Sequence, residues 1–324
     1  MEQEYGEQEY GEQVGEQQPQ GRPADEPDLL TPAAVASAPA AASGCGCRAE
    51  RGCCGGHSAA ETDGKAAAEP SYVYVLGQID FRIPSLGVEK EIAQNVARAD
   101  TRERTDRQAV RSVIAQRENR YLARQLCYVL SVQGIETYIL RPRDPLDFDL
   151  LVEAVRAEPR ASDLDVVIGL RGPLAPPGLC NGLTLPVVGV DQIYSFDSGD
   201  LVRAIERPER MSAEQFEPAS HELLRRIMQL GDNAGDTDEH RALNYLAVRY
   251  PRIYEKTVEA HADDSSLSAV GFCESRLSGT RRIIDVLLSF TGRRTDVTEK
   301  FFVRVDVTEE FPFLVTKLSP YYDR

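Results

Sequence analysis

Hydrophobic and polar residues alternate near the C-terminus with a period of two, which predicts a sheet strand. Every second residue from Phe301 to Val307 is apolar, and the residues between them are polar except Phe302. This spacing puts one row of side chains in a core and the other row, including Asp306, towards water. Two earlier apolar stretches, 267–274 and 283–290, are separated by glycine-containing turns. The pattern predicts a three-stranded antiparallel meander.

Helical spacing of apolar residues precedes this meander. Phe216, Leu223 and Ile227 share one face of a helix that is predicted to begin after Ser212. Thr237 is a suitable N-cap for a second helix, because its side chain can accept from a free backbone N–H. These signals predict a helical unit in front of the meander.

The middle of the chain mixes strand and helix patterns. A first strand is predicted over 72–79, and a hairpin over 127–140 that turns at Gln133 and Gly134. The continuous apolar runs 165–170 and 185–190 are typical of strands that are buried on both faces. This part is therefore predicted to be a mixed α/β unit.

Composition changes sharply near residue 70. Residues 1–70 contain no Phe and no Ile and are rich in Gly, Ala, Pro, Glu and Gln, so they cannot bury enough apolar surface to order themselves. We predict a disordered tail over 1–70, an α/β unit over 71–210 and a helical unit closed by the meander over 211–324. The fold class predicted for the folded part is α+β.

Charge and hydropathy limit the partners and the location. The tail has thirteen acidic and four basic residues, a net charge of −9, which leaves −6 of the chain's −15 for the folded part. Such a mildly acidic body does not predict nucleic-acid binding. There is no run of eighteen apolar residues, and MEQEYGEQ lacks the pattern of a secretion signal. We expect no membrane association and a cytoplasmic location.

Five potential metal ligands lie within thirteen residues of the tail: Cys45, Cys47, Cys53, Cys54 and His57. Thiolate and imidazole suit zinc, which takes four ligands in a tetrahedron. The spacing lacks the paired knuckles of a zinc finger, and no apolar residues lie nearby to support a site. We expect a flexible linker that carries thiols and no cofactor, with a zinc site as the alternative.

Three cysteines lie outside the tail. Cys127 and Cys273 are in apolar strand patterns, where a buried and inert thiol is expected, and Cys180 is in a loop where an exposed thiol is expected. In a reducing compartment all of them are predicted to be thiols or metal ligands.

Three arginines beside proline turns are candidates for peptide binding: Arg141, Arg143 and Arg171. An arginine fork binds carboxylates and acidic peptides well. Arginines that only cap the surface are the alternative.

Long segments of the chain resemble a known family. The segments are 72–94, 116–151, 238–257 and the last thirty residues, and they occur in one order over about 71–324. Together they are similar to the C-terminal domain of PatG, which follows a subtilisin-like protease in cyanobactin biosynthesis, and to the related domain of PatA. The resemblance implies a pathway, the maturation of ribosomal peptides, and a domain of unknown function without a known chemistry.

The protease itself has no counterpart in this sequence. None of the four histidines is followed by Gly-Thr, as a subtilisin triad requires, and Asp197-Ser198-Gly199 is interpreted as a turn or a helix cap. We therefore predict a non-catalytic accessory domain that binds a protein or peptide, such as a subtilase or a precursor peptide, with the oligomeric state open. The alternatives are a metal- or thiol-dependent protein that uses Cys45 to His57, and an enzyme with its site in the loop 171–182.

Overall fold

The computed structural model describes residues 71–99, 103–205, 212–230 and 232–322. The predicted disorder of 1–70 lies outside these residues and stays a prediction. In chain order, the elements are β1 (Tyr72–Arg82), α1 (Leu86–Arg98), α2 (Asp106–Ile114), α3 (Arg120–Ala123), β2 (Cys127–Val132), β3 (Ile135–Pro142), α4 (Phe148–Ala154), β4 (Asp163–Leu174), β5 (Pro186–Asp197), α5 (Ser198–Ala204), α6 (Ala213–Met228), α7 (Asp238–Arg249), α8 (Arg252–Ala262), β6 (Ser265–Glu274), β7 (Ile283–Gly292), β8 (Thr298–Asp306) and β9 (Phe313–Tyr321). Helices and strands occur in similar amounts, which confirms the α+β class.

The first five strands close into a barrel with the order β1-β2-β3-β5-β4. β3 and β5 are parallel, the other neighbours are antiparallel, and α4 lies between β3 and β4 in the chain. This is the Greek-key connectivity of an OB-type barrel. The predicted hairpin of β2 and β3 is confirmed, and its turn residues Gln133 and Gly134 both have positive φ, 52° and 79°, as a two-residue hairpin turn requires.

Strands of the barrel are buried on two sides. On β1, Val73 and Val75 belong to the core inside the barrel, whereas Tyr74 belongs to a second core formed with the helices. β4 alternates in the same way, with Val167 inside and Val166 outside. Since neither face meets water, these strands have the continuous apolar sequences that the prediction used.

The last four strands form an antiparallel sheet in the order β6-β7-β8-β9. The three predicted strands are present, and β9 adds a fourth. One face of the sheet packs on the helices through residues that include Val286, Val303 and Val305. α7 contacts both β1 and β7, so the helices join the barrel and the sheet within one compact unit. The predicted boundary at 210 and 211 lies outside the described residues.

A polar contact fixes the segment before α7 on the barrel. Gly235 has φ 69°, and a Cβ there would lie 2.4 Å from the carbonyl oxygen of Tyr74, so the backbone approach requires glycine. The Tyr74 N–H donates to the Gly235 carbonyl at 2.8 Å, and Asn244 Nδ2 donates to the Tyr74 carbonyl at 2.8 Å. α7 is thereby held against β1 by hydrogen bonds as well as by apolar packing.

The predicted water-facing position of Asp306 is wrong. Val305 is fully buried, as predicted, but Asp306 is only 2% exposed. Its Oδ1 accepts from the backbone N and the hydroxyl of Thr308 at 2.9 and 2.6 Å, and Arg281 Nη1 lies 3.2 Å from Oδ2. β9 pairs with β8 at this position, and that strand was absent from the prediction.

The cysteine predictions also need correction. Cys127 and Cys180 form a disulfide, and both are buried. Cys273 is a free thiol and is exposed, because it lies on the outer face of the edge strand β6. The bonded cysteines are 53 positions apart in the chain and are brought together by the return of the β4–β5 loop to the barrel wall.

Candidate functional site

The three predicted arginines lie near one end of the barrel, and two are in ion pairs. Arg143 Nη1 is 2.8 Å from Asp191 Oδ2 and 3.5 Å from Glu310 Oε2. Arg171 Nε is 3.6 Å from Asp236 Oδ2, while Arg141 is half-buried in β3 opposite Gly189. Peptide binding by these arginines stays a prediction. The partners of Arg143 and Arg171 in the structure are carboxylates of the chain itself.

A β-bulge places Asp191 beside Arg143. β4 pairs Ile168 with Gln192 but Gly169 with Val190, so Asp191 is the extra residue on β5. A bulge re-aims a side chain and interrupts pairing locally. Here it directs a carboxylate from the barrel towards the loop after β8.

Asp191 meets a second carboxylate, that of Glu310. Burial, followed by a hydrogen bond with Asp191, raises the pKa of Glu310 to about 7, against the opposing effect of Arg143 and Arg241. Two close carboxyl groups do not both ionise readily. With this raised pKa, Glu310 is expected to keep its proton at mildly acidic pH.

Arg241 clamps the loop that carries Glu310. Its guanidinium is buried and donates to the carbonyl of Val307 at 2.7 Å and to the carbonyl of Glu309. It also lies 3.3 Å from Asp238 and above the ring of Tyr72, 5.4 Å from the centroid. Burial lowers the pKa of this arginine. The clamp is structural, since its donors are directed at backbone carbonyls.

A groove of about 610 Å³ lies among α6, α8 and β6. We call it the α6–α8 groove. Its apolar part includes Leu223 from α6, Val258 from α8 and Leu267 from β6, which belong to the core shared by helices and sheet. These three side chains are buried, and the exposed apolar residues that line the groove are Pro218 and Ala262.

Pro218 gives this groove a backbone acceptor. Pro218 lies inside α6 and has no N–H, so the carbonyl of Glu214 four residues earlier lacks its helical donor. Both residues line the groove. A bound chain can supply the missing N–H.

The basic side chains of the groove differ in whether they already have partners. Arg226 is committed: Nε donates to Glu222 Oε1 at 2.8 Å, and Nη1 donates to the carbonyl of Leu267, which ties α6 to β6. Within the described part of the chain, the side chains of His261 and Arg293 have no hydrogen bond or ion pair. The groove therefore combines apolar side chains with a backbone acceptor, and with an imidazole and a guanidinium that have no partner among the described residues.

The other predicted residues are located as follows. Asp197 accepts from the N–H of Gly199 and caps α5, which confirms its interpretation as a cap. Thr237 caps α7 through the N–H of His240. Cys45 to His57 lie outside the described residues, and among the residues that are described no group of three or more His, Cys, Asp or Glu could hold a metal. The disulfide removes the thiol of Cys180 from the loop 171–182.

Sequence reasoning missed the groove, although one signal was present. A proline inside an amphipathic helix pattern, as at Pro218, indicates a free carbonyl and an irregular helix surface. Nothing in the sequence indicated that Arg293 belongs to the groove, because it lies 67 residues after Arg226 along the chain. The pair of Asp191 and Glu310 likewise depends on the tertiary fold.

The fold is that of an α+β protein in which an OB-type barrel is joined through helices to an open antiparallel sheet. Residues 210–321 match the family model described as PatG C-terminal. The solved structure described as "PatG Domain of Unknown Function" is similar, with a TM-score of 0.63 and 21% identity over 78% of this chain and 98% of that chain.

No curated protein matches this sequence. The family match over 210–321 and the similar solved structure show that the chain contains a PatG C-terminal-like region, which confirms the resemblance inferred from the sequence. At 21% identity the likeness to the solved structure shows a shared fold. In the described residues no helix is long and apolar enough to cross a membrane.

Proposed function

We propose that this chain is a non-catalytic accessory protein of ribosomal-peptide maturation, similar to that of cyanobactins, and that it binds a peptide segment in the α6–α8 groove. The observation that carries the proposal is the position of the groove. All of its lining residues lie within the segment 210–321 that matches the PatG C-terminal family.

The chemistry of the groove suits an extended peptide. Apolar side chains would pack on the exposed Pro218 and Ala262 and remove their apolar surface from water. A peptide N–H would donate to the carbonyl of Glu214, whose helical partner Pro218 cannot provide one. A peptide carbonyl or terminal carboxylate would accept from Arg293, whose five donors are free for a charge-assisted bond.

Binding can be measured by fluorescence anisotropy with labelled hexapeptides that are rich in leucine, valine and phenylalanine and have a free carboxyl terminus. Arg293→Glu should weaken binding about tenfold, which corresponds to ~1.4 kcal/mol. The matched control is Arg294→Glu. Arg294 is adjacent and exposed, is outside the groove and pairs with Asp264 at 2.8 Å, so its reversal should change affinity less than about twofold.

A second variant separates binding from stability. Pro218→Ala returns an N–H to α6 and improves its helix propensity, so the melting temperature should rise. Binding should nevertheless weaken, since the carbonyl of Glu214 regains an internal donor. The proposal fails if no hexapeptide binds, or if Arg293→Glu and Arg294→Glu have equal effects.

The partner classes remain proposals. The peptide can belong to a precursor or to an exposed segment of a separate subtilase, and a cytoplasmic location stays a prediction. The mildly acidic body favours neither nucleic acid nor a membrane surface as partner. The zinc alternative depends on Cys45 to His57, and metal analysis of protein purified without chelator tests it: about one zinc per chain, lost when the four cysteines become serine, would support it.

A further inference from the structure

The β4–β5 loop, residues 175–185, lies on the outer wall of the barrel. Ala175 and Cys180 of the loop form a small core with Cys127 on β2 and Ile139 on β3. Further apolar residues pack around this core: Leu179, Leu183, Leu185 and Val187. The loop thus covers the β2–β3 wall, the surface that OB-type barrels use with their β1–β2 and β4–β5 loops to bind ligands.

The disulfide is the bond that attaches this loop to the wall. Backbone hydrogen bonds of the loop are made to its own residues, such as Ala175 N–H to the Leu185 carbonyl at 2.8 Å and Gly182 N–H to the Pro177 carbonyl at 2.8 Å. Its tip, with Pro177 and Gly182, is exposed. Apolar contact and one covalent bond, from Cys127 to Cys180, therefore hold the loop in place.

The composition of the loop indicates which kinds of side chain pack on the wall. No residue from Gly172 to Val190 is charged, although 27% of the whole chain is, which would put about five charges in a stretch of this length. The loop side chains that pack on the wall are those of leucine, alanine and half-cystine. A cavity of about 680 Å³ continues from the loop to Phe81 and to the ion pair of Arg82 with Glu136, so the wall extends beyond the part that the loop fills.

We propose that the loop 175–185 is an internal occupant of a ligand-binding wall, held there by the disulfide, and that after reduction the wall binds an uncharged, leucine-containing peptide segment in place of the loop. A dithiol reductant supplies two electrons and two protons, becomes a cyclic disulfide, and leaves Cys127 and Cys180 as thiols. The loop then retains its apolar contacts and one weak polar contact, because Cys127 Sγ lies 3.2 Å from the carbonyl oxygen of Leu179. This wall is separate from the α6–α8 groove, and the inference does not depend on peptide binding there.

Hydrogen exchange tests the release of the loop. With intact disulfide, the amides of 175–185 should be protected in the part that packs on the wall; dithiothreitol should increase their exchange at least tenfold and leave β2 and β3 unchanged. Equal exchange before and after reduction would overturn the proposal. A parallel increase in β2 and β3 would also overturn it, since the disulfide would then stabilise the whole barrel.

Binding by the wall is tested with a labelled, capped peptide of residues 175–185 that has serine in place of cysteine. Fluorescence anisotropy should show no binding to the oxidised protein and saturable binding to the reduced one. Binding will be weak, because the tethered loop competes at a high effective concentration. A control peptide with serine in place of its three leucines should not bind.

The double variant Cys127→Ser with Cys180→Ser makes the test independent of reductant. It should bind the peptide with and without dithiothreitol, and circular dichroism should show that it folds. A folded double variant that does not bind would overturn the proposal, as would equal binding by oxidised and reduced wild type.

Discussion

The barrel and the C-terminal sheet bury their strands in different ways. The barrel has no edges, and β1 and β4 are covered inside and outside. The sheet is open, with edges β6 and β9, and only one of its faces packs on helices. A polar side chain in the barrel wall is thus cut off from water by the fold on both sides, whereas Asp285 and Asp306 on the outer face of the sheet are buried with an arginine side chain beside each.

Two ion pairs show the consequence. Asp165 in β4 is fully buried and accepts from Ile79 N at 2.7 Å, Ser195 Oγ at 2.6 Å and Arg156 Nη1 at 2.9 Å. Burial still raises its pKa in spite of these partners. On the sheet, Asp285 is also buried, at 6% exposure, and accepts from Arg304 Nε at 2.9 Å and from Arg304 Nη2 at 3.4 Å. Asp165 has a backbone and a hydroxyl donor besides its arginine, whereas the hydrogen bonds to the side chain of Asp285 come from Arg304.

The largest effect is expected from Val305→Asp in β8. Val305 is fully buried between the sheet and the helices, so the variant places an unpaired carboxylate in the core. The cost should be several kcal/mol, enough to unfold a domain of ordinary stability. Thermal melting of this variant and of Thr298→Asp, an exposed position in the same strand, checks it. If Thr298→Asp were the damaging change, β8 would be out of register by one residue.

A smaller loss is expected when either ion pair loses its arginine, and its size should differ between the regions. Arg156→Leu leaves the carboxylate of Asp165 buried without a cation and should cost about 3 kcal/mol at pH 7. Arg304→Leu should cost less, about 2 kcal/mol, because Asp285 lies on the sheet face without helices and the loss of the Arg304 side chain should let water reach its carboxylate. Denaturant unfolding measures both.

The loss in Arg156→Leu should shrink as the pH is lowered, since a carboxyl group with a raised pKa takes up a proton more readily than it does in the unfolded chain. Equal losses in the two variants at pH 7 would remove the distinction between the closed and open regions.

The smallest effect concerns the junction of the two regions and is seen as a pH dependence. Glu310 has a folded pKa of about 7, above that of the unfolded chain, so the folded state binds more protons between about pH 4.5 and 7. Stability should therefore fall as pH rises through this window. Glu310→Gln keeps the hydrogen-bonding shape without the titration and should flatten the slope of melting temperature against pH. An unchanged slope would show that the pKa of Glu310 is not raised in the folded protein.

Prediction from sequence succeeded where local rules decide the structure. The alternation in β8, the turn at Gln133 and the cap at Thr237 depend on residues that are neighbours in the chain. The resemblance to the PatG C-terminal region also rested on contiguous segments. The α6–α8 groove was missed because its walls come from two helices, a strand and a turn, and only Pro218 marked it in the sequence.

The sequence alone determined the α+β class, most of the helices and strands and the relation to PatG, because periodicity, caps and turns act over a few residues. Tertiary structure decided the barrel closure, the burial of Asp306 and the bond between Cys127 and Cys180. Each of these joins groups that are distant in the chain. Pairing over such distances depends on which strands become neighbours, and that choice follows from packing the whole core, beyond what any local pattern specifies.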